Sequence, residues 1–281
     1  MTETITTYEP DNSLKKGYLS IFSEIVNELM KNRWLIYQLF RRDFFAVYKQ
    51  SFIGVLWALI IPIVSVGTFI VLNQSGIFTV GDITVPYPLY AILGMAFWQL
   101  FSTGLIANSN SLVAVGSMIA KINFSKKSLV IASTGKSIVS FLIQFVLIGI
   151  LFVYYWITPS IAILWIPILI IPIILLALGF GFILSLLNGI ARDIGNILGL
   201  FMTFLMFLTP ILYAKPTTGI LATATKYNPL YYLVSAPREV VLMGTISEWK
   251  GFLIASILSV IIFIVCLVIF HLTETRVAER I

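Results

Sequence analysis

Six apolar runs, each near the roughly 20 residues a helix needs to cross a bilayer, occupy nearly half of this chain and contain no Asp, Glu, Lys or Arg. They cover 52–72, 89–107, 137–156, 161–187, 194–213 and 252–270. A charged fraction of 11% over 281 residues, against about 25% for a soluble domain, and a mean hydropathy of +1.01 agree with this reading. The expected fold class is an all-α integral membrane protein with six transmembrane helices, and 18–281 read as a single membrane domain. The fourth run holds Pro167 and Pro172 and is expected to be tilted or kinked.

Lys and Arg assign the two faces of the membrane. With the N-terminus inside, the inner segments hold Lys15, Lys16, Lys31, Arg33, Arg41, Arg42, Lys49, Lys121, Lys126, Lys127, Lys136, Arg192, Arg276 and Arg280. The outer segments hold Lys215, Lys226, Arg238 and Lys250. This bias predicts both termini on the cytoplasmic side. It also explains the net charge of +6 without nucleic acid, since the basic residues sit in short loops and not on one face.

Residues 1–17 are polar, contain acids and lack the apolar core of a signal peptide, so they read as a flexible cytoplasmic tail. Over 18–38, Leu19, Phe22, Val26 and Leu29 recur at helical spacing, with Ser23, Glu24, Asn27 and Glu28 on the other face. Trp34 and Tyr37 suit the headgroup level, and the segment reads as an interfacial helix. Between the fifth and sixth runs, 214–250 are half apolar but punctuated by Pro216, Gly219, Pro229 and Pro237. A re-entrant pair of short outer helices fits that composition, because broken backbone at membrane depth needs protein around it.

Several chemistries are disfavoured by what is missing. Cys266 and His271 are single and lie in or beside apolar sequence, so no disulfide, no Cys-based metal site and no His-containing metal or catalytic cluster is expected. Thr134, Gly135, Lys136 and Ser137 look like the tail of a phosphate-binding loop, but Val130 stands where the motif's first Gly is required. An ion-coupled secondary transporter keeps ionisable groups in its spans, and these spans have none. A membrane-bound glycan-modifying enzyme needs convergent acids or a metal, and outside the membrane only Asp82, Glu239 and Glu248 are on offer.

Arg192 and Asp193 join the fourth and fifth runs and read as a cytoplasmic turn. Gly195 with Gly199, and Gly179 with Gly181, permit close helix approach. The aromatics Phe97, Trp98, Phe101, Phe201, Phe204, Phe207, Tyr213, Tyr231 and Tyr232 read as interface belts and packing.

The stretch 38–62 carries Arg41, Arg42, Asp43, Tyr48, Lys49, Gln50, Ser51, Gly54, Leu56, Trp57 and Pro62 in an order that resembles the start of ABC-2 type transporter permeases. The branch is the one that exports lipopolysaccharide O-antigen, capsule and teichoic acid. Ile53 stands where that branch has Leu. Asn110, Ser111, Leu112, Ile119, Lys121 and Phe124 match a second motif in the inner loop 108–136, with Ser125 in place of a proline. Pro210 to Tyr213, and Tyr227, Asn228, Pro229 and Tyr231, match two more.

The resemblance implies a polysaccharide-exporting permease subunit of the bacterial inner membrane, pairing with a second copy and with two ABC ATPase subunits. ATP and Mg would bind those subunits, and no cofactor or metal this chain. Glu24, Glu28, Ser117, Ile119, Lys121, Phe124, Lys126 and Lys127 would couple to the ATPase. Phe97, Trp98, Phe101, Phe204, Pro210, Tyr213, Tyr227, Asn228 and Pro229 become candidates for the path or gate of a lipid-linked polysaccharide. An ABC-2 exporter of a smaller molecule or drug is the alternative within the class.

Overall fold

The helix Tyr87–Val115 is the pole around which the others stand: 78% of its most apolar window is buried, against 17% for the last long helix. The computed structural model describes residues 18–49, 56–76, 80–81, 83–115 and 125–278, and no strand occurs among them. In chain order the helices are α1 (Tyr18–Lys31), α2 (Arg33–Lys49), α3 (Trp57–Gln74), α4 (Tyr87–Val115) and α5 (Lys126–Tyr154). A 3₁₀ turn (Ile161–Trp165) leads into the short α6 (Ile166–Leu169). Then come α7 (Ile171–Ile190), α8 (Asp193–Leu208), α9 (Gly219–Tyr227), α10 (Pro229–Met243) and α11 (Trp249–Ala278).

Each of the six apolar runs is largely helical where described, and four helical stretches are long and apolar enough to cross a membrane: Tyr87–Val115, Lys126–Tyr154, Ile161–Ile190 and Trp249–Glu274. Helix α4 packs on α5, α7, α8 and α10; α11 packs on α7 and α10, and α2 lies along α5. Small residues on α4 permit this crowding. A Cβ on Gly104 would meet the Ser137 hydroxyl at 3.0 Å and Ala177 at 3.7 Å. The main core runs from Leu89 to Leu105 on α4 into Phe141, Ile148, Ile173, Leu176 and Leu233. A second cluster gathers Ile25, Leu39, Leu112, Leu129, Phe182 and Phe270 at the end where α1 sits, called here the loop end.

Three expectations need correcting. The segment 18–38 is not one helix: a turn at Asn32, whose amide side chain donates to the Glu28 carbonyl at 2.9 Å, separates α1 from α2. Helix α2 then runs to Lys49, so Arg41, Arg42, Asp43 and Lys49 lie within a helix and not in an elbow. The 108–136 loop is mostly helix as well, because α4 extends to Val115 and α5 begins at Lys126. Asn108, Asn110 and Ser133 there find partners on neighbouring helices. The fourth run is broken as its prolines led us to expect: it divides at Ile170, with Pro167 and Pro172 each in the first turn of a helix, where a missing N–H costs little.

The 214–250 segment forms the short pair α9 and α10. Asn228 caps α10 by accepting from the Leu230 N–H at 3.0 Å, and Gly244, at φ +77°, ends it in the left-handed conformation that a side chain would strain.

Candidate functional site

The loop end holds a buried ion-pair junction. Lys127, in the first turn of α5, is fully buried, and its ammonium donates to Glu28 Oε2 of α1 at 2.8 Å and to Glu274 of α11. His271 Nδ1 lies 3.6 Å from the same Glu274 carboxylate, and Lys126 Nζ reaches the Glu274 carbonyl at 3.3 Å. Glu28, His271 and Glu274 place ligand atoms within 4.8 Å of one another, a set that carboxylates complete despite the single histidine. Lys127 already supplies the cation there.

Of the residues that the resemblance implicates in coupling, Glu28, Lys126 and Lys127 therefore converge, facing into the subunit. Glu24 lies half-buried on α1, and Ser117, Ile119, Lys121 and Phe124 fall outside the described residues. Of the boundary motif, Arg42 pairs with Asp43 at 2.8 Å on the surface, and Arg41 lies 5.9 Å from the Phe45 ring. Tyr48 and Lys49 lie in the last turn of α2, Trp57 opens α3 half-exposed, and Gly54 is outside the described residues. Phe22, Val26, Met30, Trp34 and Tyr37 stay exposed along α1 and α2, as an interfacial segment requires.

Two asparagines that sequence reasoning passed over hold the helices together one turn deeper. Asn108 Oδ1 accepts from the hydroxyls of Ser133 (2.7 Å) and Thr134 (2.8 Å) on α5, while its amide donates to the Ala177 carbonyl of α7. Asn188 donates to the Ser109 carbonyl (3.2 Å) and to Asn110 Oδ1 (2.9 Å) on α4, and its Oδ1 accepts the Gly195 N–H of α8 at 3.0 Å. The available signal was an Asn beside an apolar run, which must find partners when buried. Arg192 and Asp193 are exposed at the α7–α8 corner, with Asp193 at the favourable positive end of α8.

The glycines now have assigned faces. A Cβ on Gly181 would strike Asn108, on Gly179 the Phe263 backbone of α11, and on Gly195 the Asn110 amide, whereas Gly199 has nothing within 4 Å. The phosphate-loop look-alike is part of α5, where Gly135 lets the Phe40 ring of α2 lie against the helix; a Cβ there would be 2.2 Å from it.

At the far end, Arg238 of α10 is buried, stacks 3.9 Å from the Tyr90 ring and donates to the Ile211 carbonyl at 2.9 Å. Burial pushes its pKa down. It is thus not the exposed outer charge that the topology count assumed. Helix α4 approaches here at Gly94, whose Cβ would sit 2.5 Å from the Ile211 oxygen. Glu248 accepts from Lys215 (2.5 Å) and from the Tyr231 hydroxyl (3.1 Å), and burial and then this carboxylate raise the Tyr231 pKa. Glu239 accepts the Ser247 N–H at 2.7 Å. Both acids are engaged by neighbouring donors; Asp82 lies outside the described residues.

Between the two ends, α4, α7, α8 and the start of α10 enclose an apolar cleft of about 490 Å³. Phe101, Asn228 and Pro229 line it. Phe201 lines it too, while Phe204 projects from an exposed stripe of α8 with Leu200 and Phe207. Phe97 and Trp98 are corrections: both are buried in the core, where Phe97 packs on Phe141 and Phe145 and offers no face to a passing polymer. Pro210 is buried in the break after α8. Tyr213 donates to the Phe207 carbonyl at 2.6 Å, Tyr227 is exposed, and Asn228 donates to Thr209 at 2.8 Å.

A sequence of apolar helices whose polar side chains are spent on fastening one helix to another defines a polytopic membrane protein, with no convergent acid–base set among the described residues outside the Lys127 junction. The chain belongs to the ABC-2 type transporter family, whose model matches residues 35–242. It is similar to an O-antigen export system permease protein RfbA of Klebsiella pneumoniae, at 29% identity over 242 residues, covering 85% of this chain and 91% of that protein. It is also similar to the protein of the same name from Myxococcus xanthus, at 22% identity over 261 residues, covering 92% of this chain and 99% of the relative.

Proposed function

We propose that this chain is the permease subunit of an ABC exporter that carries a lipid-linked polysaccharide, O-antigen in the first place, out across the bacterial cytoplasmic membrane. The carrying observation is that the family match is joined, over nearly the whole length, by relatives named as O-antigen export permeases. ATP and Mg bind separate ATPase subunits, and the chain itself is not an enzyme. Six spans, with α3 and α8 completing the four longer ones, and both termini inside accommodate the distribution of Lys and Arg. The α9–α10 pair re-enters the membrane from outside. Two copies face each other, and the exposed aromatics of α8, Phe201, Phe204 and Phe207, are apt for a sliding sugar chain: they offer faces without a charge that would bind tightly. Residues 116–124, with α1, receive the ATPase.

The test is ATP hydrolysis and export by this chain with and without the ATP-binding subunit that co-purifies with it. Hydrolysis only in the complex, with outward movement of lipid-linked glycan into inverted vesicles, is the expected result. A stable complex that hydrolyses ATP but moves only small amphiphiles would overturn the substrate assignment, and failure to bind any ATPase would overturn the class.

A further inference from the structure

We propose that Lys127 is a positioning residue for the drive stroke: it locks α1, the start of α5 and the end of α11 into one body, so that a push received at the loop end is delivered to all three. The inference rests on the exporter reading and concerns how that exporter is driven.

The three partners are far apart in sequence, at 28, 127 and 274, yet they meet at a single buried ammonium. Lys127 is fully buried, so both carboxylates exchange water for it, and Glu274 is itself only 12% exposed. A hydrocarbon contact tolerates sliding, because dispersion forces have little direction. A buried ammonium between two carboxylates does not slide: displacing either partner strands a charge away from water. The junction is therefore stiff where the neighbouring cluster of Ile25, Leu39, Leu129 and Phe270 can shear. Its location adds to this. Lys127 stands three residues after the 116–124 segment, so the exit of that segment is pinned. Helix α1 holds to the bundle here and through Ile25, while Phe22, Val26 and Met30 face outward. Lys126 strengthens the tie by donating to the Glu274 carbonyl, and His271 flanks the same carboxylate.

The consequence is a division of labour within the coupling residues that the resemblance implies: Lys127 acts inside the subunit, out of reach of an ATPase, and Glu28 spends its carboxylate on Lys127. Glu274, which no motif pointed to, joins them.

The experiment compares wild type with Lys127→Met, Lys127→Arg, Glu28→Gln and Glu274→Gln, each in complex with the co-purifying ATPase. Two quantities are read: glycan exported per ATP hydrolysed, and amide exchange of residues 18–31 in the permease alone. Lys127→Met is expected to keep ATP hydrolysis while export per ATP falls about tenfold, and to speed exchange across α1. Lys127→Arg keeps the charge and is expected to restore both, with Glu28→Gln and Glu274→Gln between. Unchanged export per ATP in all variants would overturn the proposal; so would hydrolysis and export falling in proportion to lost complex, which marks a purely structural role. If Lys127→Met fails to fold, the two Gln variants decide on the same readouts. An absence of ATP-driven export in wild type would refute the exporter reading and the drive role together, recognisable because it precedes any substitution. The exchange rates would then still decide whether the junction fastens α1.

Discussion

Replacing Gly94 by Ala tests whether the far end is as tightly built as the distances indicate. The new Cβ would lie 2.5 Å from the Ile211 carbonyl oxygen and 3.0 Å from Arg238 Nη1. An ordinary C···O contact is about 3.3 Å, so helix or turn must retreat by roughly 0.8 Å. Neither side can yield by rotating a side chain, because the obstacle is backbone on both. Overpacking of this kind costs about 1–3 kcal/mol. Stretching the 2.9 Å bond from Arg238 to Ile211 forfeits part of a charged hydrogen bond worth about 1.5–3 kcal/mol. The helix propensity of Ala returns about 1 kcal/mol. The net expectation is a loss of about 2 kcal/mol, read as a lower midpoint in thermal denaturation of the purified chain in detergent. Gly149→Ala is the control: it is also helical but has nothing within 4 Å, so its midpoint is expected to stay level or rise. If Gly94→Ala melts at or above wild type, the close approach of α4 to the 209–213 turn is wrong.

Asn188→Ala leaves the Gly195 N–H and the Ser109 and Asn110 oxygens without their partner and is expected to cost about 1–3 kcal/mol, seen as a lower melting midpoint; no change would show that the α7–α8 corner is held otherwise. Gly135→Ala pushes on Phe40 and is expected to lift α2, so trypsin should cut at Arg41 and Arg42 faster than in wild type, and equal rates would contradict the packing. Phe97→Ala empties a core position and should cost about 3–5 kcal/mol. Phe204→Ala, on an exposed stripe, should shift stability by no more than about 0.5 kcal/mol while slowing export; normal export would remove it from the path.

Helix positions were legible because apolar runs of this length have one low-energy solution in lipid, where backbone groups must be satisfied within the segment. The proline breaks were legible for the same reason. What eluded the sequence depends on tertiary partners. Lys127 looked like one more inner-face charge, and nothing local says that Glu28 and Glu274 will meet it. Arg238 was counted as an outer charge, yet the face of Tyr90 and a carbonyl exposed by the break at Pro210 allow it to be buried. Removing one residue from each side of the topology count leaves its bias intact, which is why orientation can be argued without knowing either fate. Asn108 and Asn188 were passed over because an asparagine's value lies in what opposes it, and the opposing Ser133, Thr134 and Gly195 sit on other helices.

The filled interior around α4 carries a genetic consequence. A pole has no bore, and the cleft beside it is apolar, with nothing to solvate a hydrated sugar chain. On the pairing proposed above, a conduit for such a polymer is walled by both copies, each lending its outer face, as closed cyclic assemblies do. An inert allele that still pairs would poison its wild-type partner. Co-expressing equal amounts of Lys127→Met and wild type should cut export to about a quarter if pairs form at random, whereas a conduit within each copy would leave about half.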